Sequence, residues 1–338
     1  MAVTVSDRLL TVGRGRDREG LMPAIAGRDR DRQGSNPTII TLPFETCNEV
    51  PERGGRGCGG GLVLVDGTVV WGGGGEGVYQ LDEVEKRWNK LTDCTTWATL
   101  GVCSGRLVSV GGDVPPAYSD EVMVWKGGEW TCMPGMVTAC RQSCVVAVDG
   151  GGLLVMGGEG CRIKALDTIQ VFDSTTQTWH IGPPLPQPCK NMSAAVYGDL
   201  VFVMGGWPMD RAVWCANISD LTSAHIEDMH WRRLPDLPYI GSSARVVGGV
   251  LFAIGGSDGS KRISAIFALH PVNQKWQHVA EMPFECSYVD TVLLSGGRLL
   301  VVDGDTQKVT VLDVEGLVSL FPTVPKKMNP DERLSEEH

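Results

Sequence analysis

An apolar run that stops on two glycines occurs five times in this chain. The copies are "TVVWGG", "RLVSVGG", "LLVMGG", "VFVMGG" and "LFAIGG", with first glycines at Gly72, Gly111, Gly157, Gly205 and Gly255. A sixth run, "RLLVV", ends on Asp303-Gly304. Successive copies stand about 40 to 50 residues apart, the length of one four-stranded propeller blade. An internal repeat of that length constrains the fold more than any single motif.

The anatomy within each copy repeats as well. A hairpin precedes each pair, as in "GLVLVDGTVVWGG", "LGVCSGRLVSVGG" and "SAAVYGDLVFVMGG". Its turn is Asp-Gly, Ser-Gly, Gly-Asp or Gly-Gly, dipeptides that supply the positive φ of tight hairpins. A third strand follows ("VYQLD", "VMVWK", "IQVFD", "IFALH", "VTVLD"), then usually a fourth with a tryptophan: Trp88, Trp130, Trp179, Trp231 or Trp276. The same short interval separates Leu81 from Trp88, Phe172 from Trp179 and Leu269 from Trp276. The strands are apolar at successive positions, which implies burial on both faces. Blades stacked face to face around an axis give that burial without helices and protect the sheet edges. The predicted fold is therefore all-β, a six-bladed β-propeller of four-stranded antiparallel blades. The glycine pair fits a strand exit that needs positive φ and close backbone approach.

Apolar strand, Gly-Gly, a spaced bulky residue and tryptophan together resemble the kelch repeat, in six copies over about residues 38 to 315. The chain departs from that pattern in places. Leu, Phe or Trp replaces the third-strand tyrosine, the last glycine pair is Asp-Gly, and the last copy lacks its tryptophan. "SDLTSAHIEDMH" is inserted before Trp231. The resemblance implies a ring closed by strands from both chain ends. "TIITLPFETCNEVPERG" (38–54) matches the tail of a blade, and residues 38–43 are the expected closing strand; "LVSLFPTVP" (317–325) is the local alternative. The expected organisation is a disordered arm over 1–36, a propeller over 37–322 and a loose tail over 323–338. The arm holds mixed charge with few apolar residues, the composition of disorder.

Composition narrows the function classes. A net charge of −10 argues against a nucleic-acid surface. No apolar run approaches the ~20 residues that span a bilayer. The first residues, "MAVTVSDRLL", lack the charged and apolar regions of a signal peptide. Eleven cysteines without a C-x-x-C read as reduced thiols, and the expected location is cytoplasmic.

Motifs for chemistry are sparse. G-x-S-x-G and the P-loop are absent, and "GGRGCGGG" and "GGGGEG" lead into no helix that would cradle phosphate. "HIEDMH", with His225, Glu227, Asp228 and His230, has metal-ligand residue types, but an isolated polar insertion reads better as a solvated loop. The expectation is no metal and no cofactor. Some kelch propellers are iron-dependent specifier proteins with an E-x-x-x-D-x-x-x-H set, which is not found here. The periodic tryptophans read as packing between blades, whereas Trp97 and Trp207 fall in loops.

Loops after the second and fourth strands of an antiparallel blade share one side, and in kelch propellers that side usually receives the partner. They carry Trp97, Tyr118, Arg141, Arg162, Lys164, Lys190, Trp207, Arg211, Tyr239, Lys261, Arg262 and Tyr288. Aromatics and arginines are common interface anchors. The expected function is a non-enzymatic, monomeric interaction module for a protein or acidic peptide segment, an adaptor or substrate receptor. The rival is a kelch-type sialic-acid epimerase or mutarotase, which needs acid and base groups over the channel. Glu76, Glu159 and Glu285 are carboxylates that the sequence cannot place there.

Overall fold

A computed structural model describes residues 61–72, 75, 77–208, 210–218, 229–270, 274–303 and 305–321, together with the backbone of 44–46. The chain divides into Met1–Thr38, outside the described residues, and Ile39–His338, to which everything below belongs. Six sheets of four antiparallel strands follow one another. The first runs through Gly61–Val65, Thr68–Gly72, Gly77–Asp82 and Arg87–Asp93. The second uses Thr99–Cys103, Arg106–Val110, Val122–Trp125 and Trp130–Cys132, and the third Cys144–Val148, Gly152–Met156, Ile169–Asp173 and Thr178–Gly182. The fourth uses Ser193–Tyr197, Leu200–Met204, Val213–Asn217 and Arg232–Leu234, and the fifth Ser243–Val247, Val250–Ile254, Ile263–Leu269 and Trp276–Cys286. The sixth joins Asp290–Leu293, Arg298–Asp303 and Lys308–Asp313 to Phe44–Thr46. Each sheet's first strand neighbours the first strand of the next, and the sixth returns to the first. The molecule is a six-bladed β-propeller, as the repeat predicts.

The strand on the outside of the last blade is Phe44–Thr46, antiparallel to Lys308–Asp313 with Phe44 opposite Leu312. Residues 38–43, expected in that place, lie outside the described residues, as do the expected arm and tail. The start of the C-terminal alternative is not a strand. Glu315–Val318 forms one helical turn, and Leu317 and Phe321 bury themselves between blades 5 and 6. No helix among the described residues is long and apolar enough to cross a membrane.

The core has no single centre. It consists of six apolar clusters, each lying between two neighbouring blades, including one between blades 6 and 1 built from Leu62, Trp71, Leu300 and Val302. Fully burying a side chain such as Trp71 or Phe252 contributes about 1.5–3 kcal/mol. The repeated bulky-residue-to-tryptophan interval is a cross-strand pair: Leu81 faces Trp88, Phe172 faces Trp179 and Leu269 faces Trp276. The indoles of Trp179 and Trp276, and that of Trp130, also reach back one blade. Trp130 donates to the Asp93 carbonyl at 2.7 Å, Trp179 to Pro134 at 2.8 Å and Trp276 to Pro235 at 3.1 Å. Around the channel, hydroxyls tie first strands together. Thr99 donates to the Ser143 carbonyl at 3.0 Å, and Ser243 and Thr291 share a 3.3 Å hydrogen bond.

Candidate partner-binding face

The glycine pairs close the second strands against the loops that lead into each blade. The residue after the pair bonds to the residue three positions before its blade's first strand. Asp113 N–H meets the Thr96 carbonyl at 2.8 Å, Glu159 N–H that of Arg141 at 2.7 Å, Trp207 N–H that of Lys190 at 2.9 Å and Ser257 N–H that of Ile240 at 2.8 Å. The second glycine makes this approach possible. A Cβ on Gly158 would sit 2.7 Å from the Arg141 carbonyl oxygen, and one on Gly206 2.6 Å from that of Lys190. Both residues also have positive φ, 100° and 84°. Four successive blades thus present one side chain each at equivalent positions: Asp113, Glu159, Trp207 and Ser257.

That arrangement gathers several of the expected binding residues into an internal ion network. Glu159 has a fully buried carboxylate. Arg141 donates to it through Nη2 at 2.5 Å and Nε at 2.9 Å, Tyr118 through its hydroxyl at 2.8 Å, and Lys190 through Nζ. Arg141 Nη1 also reaches Asp113 at 2.6 Å, and its guanidinium lies 4.8 Å from the Tyr118 ring centroid. Burial pushes the Glu159 pKa up, but hydrogen bonds from Lys190, Arg141 and Tyr118 outweigh it and hold the carboxyl below its ordinary value. Arg262 is engaged in the same way, by Asp303 at 3.1 Å and Asp305 at 3.0 Å. Arg141, Lys190 and Arg262 therefore spend their charge on carboxylates of their own chain.

The other expected residues divide by exposure. Trp97 and Tyr239 are half-buried, and Tyr239 packs edge-on against Phe267 at 5.7 Å. Arg162, Arg211 and Lys261 are exposed, as is Lys164, and none of the four has an ion pair among the described residues. Trp207 and Tyr288 are exposed aromatics on the same side. Val114, Val137 and Ile163 join them. Of the "HIEDMH" insertion, His225, Glu227 and Asp228 lie outside the described residues and His230 is exposed. Among the described residues no group of three or more His, Cys, Asp or Glu could hold a metal ion.

The axial channel has a volume of about 340 Å³ and is walled by the first strands. Its polar lining includes Ser143, Asn191, Ser243 and Thr291, with Arg245 and Asp290 as charged members. Arg245 donates through Nε to the Thr291 carbonyl at 2.9 Å, and Asp290 accepts from the Trp71 indole at 3.0 Å. Burial pushes the Cys144 thiol there up to about 11, so it stands protonated at neutral pH.

Comparison with known proteins agrees with this architecture. The family model for the KLHDC2/KLHL20/DRC7 kelch-repeats domain matches residues 95–304. The chain belongs to the kelch-repeat family. Kelch-like protein 25 of Xenopus tropicalis is 24% identical over 169 residues, 49% of this chain and 27% of that protein. Kelch-like protein terF of Aspergillus terreus is 24% identical over 294 residues, 76% of this chain and 62% of its own length. The chain thus spans less than two thirds of either relative. Among solved structures, YjhT superposes with a TM-score of 0.62 at 17% identity, covering 78% of this chain and 96% of that one, a likeness of fold.

In this kelch propeller the carboxylate partners of Arg141, Lys190 and Arg262 are not legible in the sequence. Glu159 was legible as a position, directly after a glycine pair, yet its partners come from separate loops. Ile163 was missed because an isoleucine in a loop carries no binding signature of its own, and Arg245 because it lies within a strand.

Proposed function

We propose that this kelch propeller is a non-enzymatic protein-interaction module that receives its partner on the face formed by the loops after second and fourth strands. The observation that carries this reading is that most of the exposed large apolar side chains among the described residues lie in those loops, two of them, Ile163 and Trp207, lining one cleft. Val114, Val137, Ile163, Trp207 and Tyr288 lie on that side, whereas the other exposed large apolar residues, such as Val84 and Leu320, are scattered elsewhere. Exposed apolar residues that share one surface mark interaction sites, which Ile163 and Trp207 do and single ones do not. The partner's docking segment is acidic, because the described cations on this face without an ion pair are Arg162, Lys164, Arg211 and Lys261. The kelch-like names of the relatives support a shared interaction role. For the carbohydrate-enzyme rival, the described channel lining offers one carboxylate, Asp290, already bonded to Trp71.

The test is affinity capture from lysate followed by mass spectrometry, comparing wild type with the Arg162→Glu, Trp207→Ala, Arg211→Glu, Lys261→Glu variant. All four sites are exposed, and each change at such a site shifts stability by about 0.5 kcal/mol or less. The expected result is loss of the wild-type partners with little change in melting temperature. An unchanged partner set overturns the assignment of this face.

A further inference from the structure

Between blades 3 and 4 the same face opens into a cleft of about 470 Å³ lined by Arg162, Ile163, Lys164, Pro188, Trp207 and Pro208 among others. One wall is the tip of a two-stranded ribbon in which Glu159–Gly160 pairs with Lys164–Ala165. The turn between them places Arg162 and Ile163 at φ 63° and 61°. Two consecutive left-handed residues are the geometry that Asn-Gly adopts most easily, and a β-branched residue there is strained. Ile163 is 68% exposed at this turn, beside Arg162. Strained backbone of this kind collects at ligand clamps. Trp207 is 57% exposed, with Lys190 Nζ 5.4 Å from its ring centroid. Lys190 is neutralised by Glu159, so the uncompensated charge at this cleft belongs to Arg162 and Lys164.

We propose that this cleft binds an extended acidic segment of a partner protein. One aliphatic or aromatic side chain of the segment rests against Trp207 and Ile163, and flanking carboxylates pair with Arg162 and Lys164. This rests on the face being the partner-binding one and locates the specificity on it. Charge complementarity selects the occupant. An apolar cleft edged by uncompensated cations suits a carboxylate-bearing segment, and a chain of net charge −10 lacks the broad basic footprint of a nucleic-acid surface. Arginine gives the bidentate geometry that a carboxylate matches.

A random peptide library displayed on phage is selected against the immobilised full chain, and enriched peptides are synthesised with a fluorophore for anisotropy titration. Enriched peptides should carry two or more acidic residues around an apolar one. Arg162→Glu and Trp207→Ala should each weaken them at least about tenfold, the scale of one lost charge-assisted pair or aromatic anchor. Ile163→Gly is the informative third variant. It relieves the turn, so the melting temperature holds or rises while binding falls. Arg211→Glu with Lys261→Glu should leave these peptides within about threefold, since distant rim charges act mainly on association rate. Enriched peptides without acidic residues, or binding indifferent to Arg162→Glu and Trp207→Ala, overturn the cleft. If lysate partners are then lost only in Arg211→Glu with Lys261→Glu, the face stands and the cleft alone falls. Light scattering that shows a dimer dissolved by Trp207→Ala makes the occupant a second copy and also overturns the proposal.

Discussion

Glu159 is a charge with no exposed surface, tolerated because two cations and a phenol reach it. Substitution by Gln keeps the shape and removes the charge, leaving Lys190 without a counter-ion. Breaking a buried pair costs roughly 3–5 kcal/mol, and the lower end applies because Arg141 keeps Asp113. Chemical denaturation of Glu159→Gln should show a loss of about 3 kcal/mol. The acid side of the stability curve carries a second expectation. The folded carboxyl titrates below its ordinary value of 4.5, so its stabilisation is complete above that pH and is lost as pH falls through the lower folded value. Melting temperature followed from neutral to strongly acid pH should therefore fall less steeply in Glu159→Gln than in wild type below about pH 4.5. Gly158 tests the backbone beside it. With φ at 100° and the Arg141 carbonyl 2.7 Å from an added Cβ, Gly158→Ala should cost about 2 kcal/mol or more, whereas Gly67→Ala, which meets nothing within 4 Å, isolates the smaller penalty of φ alone.

Tryptophans of the same kind do opposite work depending on the element that holds them. Trp179 sits in an outer strand and donates to Pro134 of the preceding blade, so Trp179→Phe should lose about 1 kcal/mol for the missing hydrogen bond. Trp207, on a loop, should tolerate Ala to within about 0.5 kcal/mol, and paired thermal melts check both expectations. The sequence distinguished the two because strand tryptophans keep a fixed distance from a bulky partner, and a constant interval across a short turn becomes a cross-strand pair. It could not read the ion network in the same way. Arg141 meets Asp113 in one loop and Glu159 in another, so their pairing depends on how blades 2 and 3 stack. As a result Arg141, Lys190 and Arg262 looked like binding cations, although their carboxylate partners are internal. Arg162 and Arg211 are the same residue type on loops of the same face, and what distinguishes them is their exposure and the lack of such partners among the described residues.

At the scale of the whole molecule, six equivalent interfaces form a ring, so each blade is covered on both faces. The period of the glycine pairs made the blade count legible, because each pair marks one second strand. The closing strand was less so, since three residues carry too little pattern to fix a register. A chain beginning at Cys47 lacks that strand and exposes the outer edge of Lys308–Asp313. It should melt lower and self-associate, as unpaired edges do, and light scattering during a thermal ramp would show it. The ring also sets an order in time. Phe44–Thr46 leaves the ribosome ahead of every other described strand, yet the partner it pairs with is translated last among them. During synthesis this strand must wait, unpaired, until every other described strand has emerged. A stalled or prematurely terminated message therefore yields an open arc with two bare flanks, and the nascent form most in need of a chaperone is the one lacking its final blade.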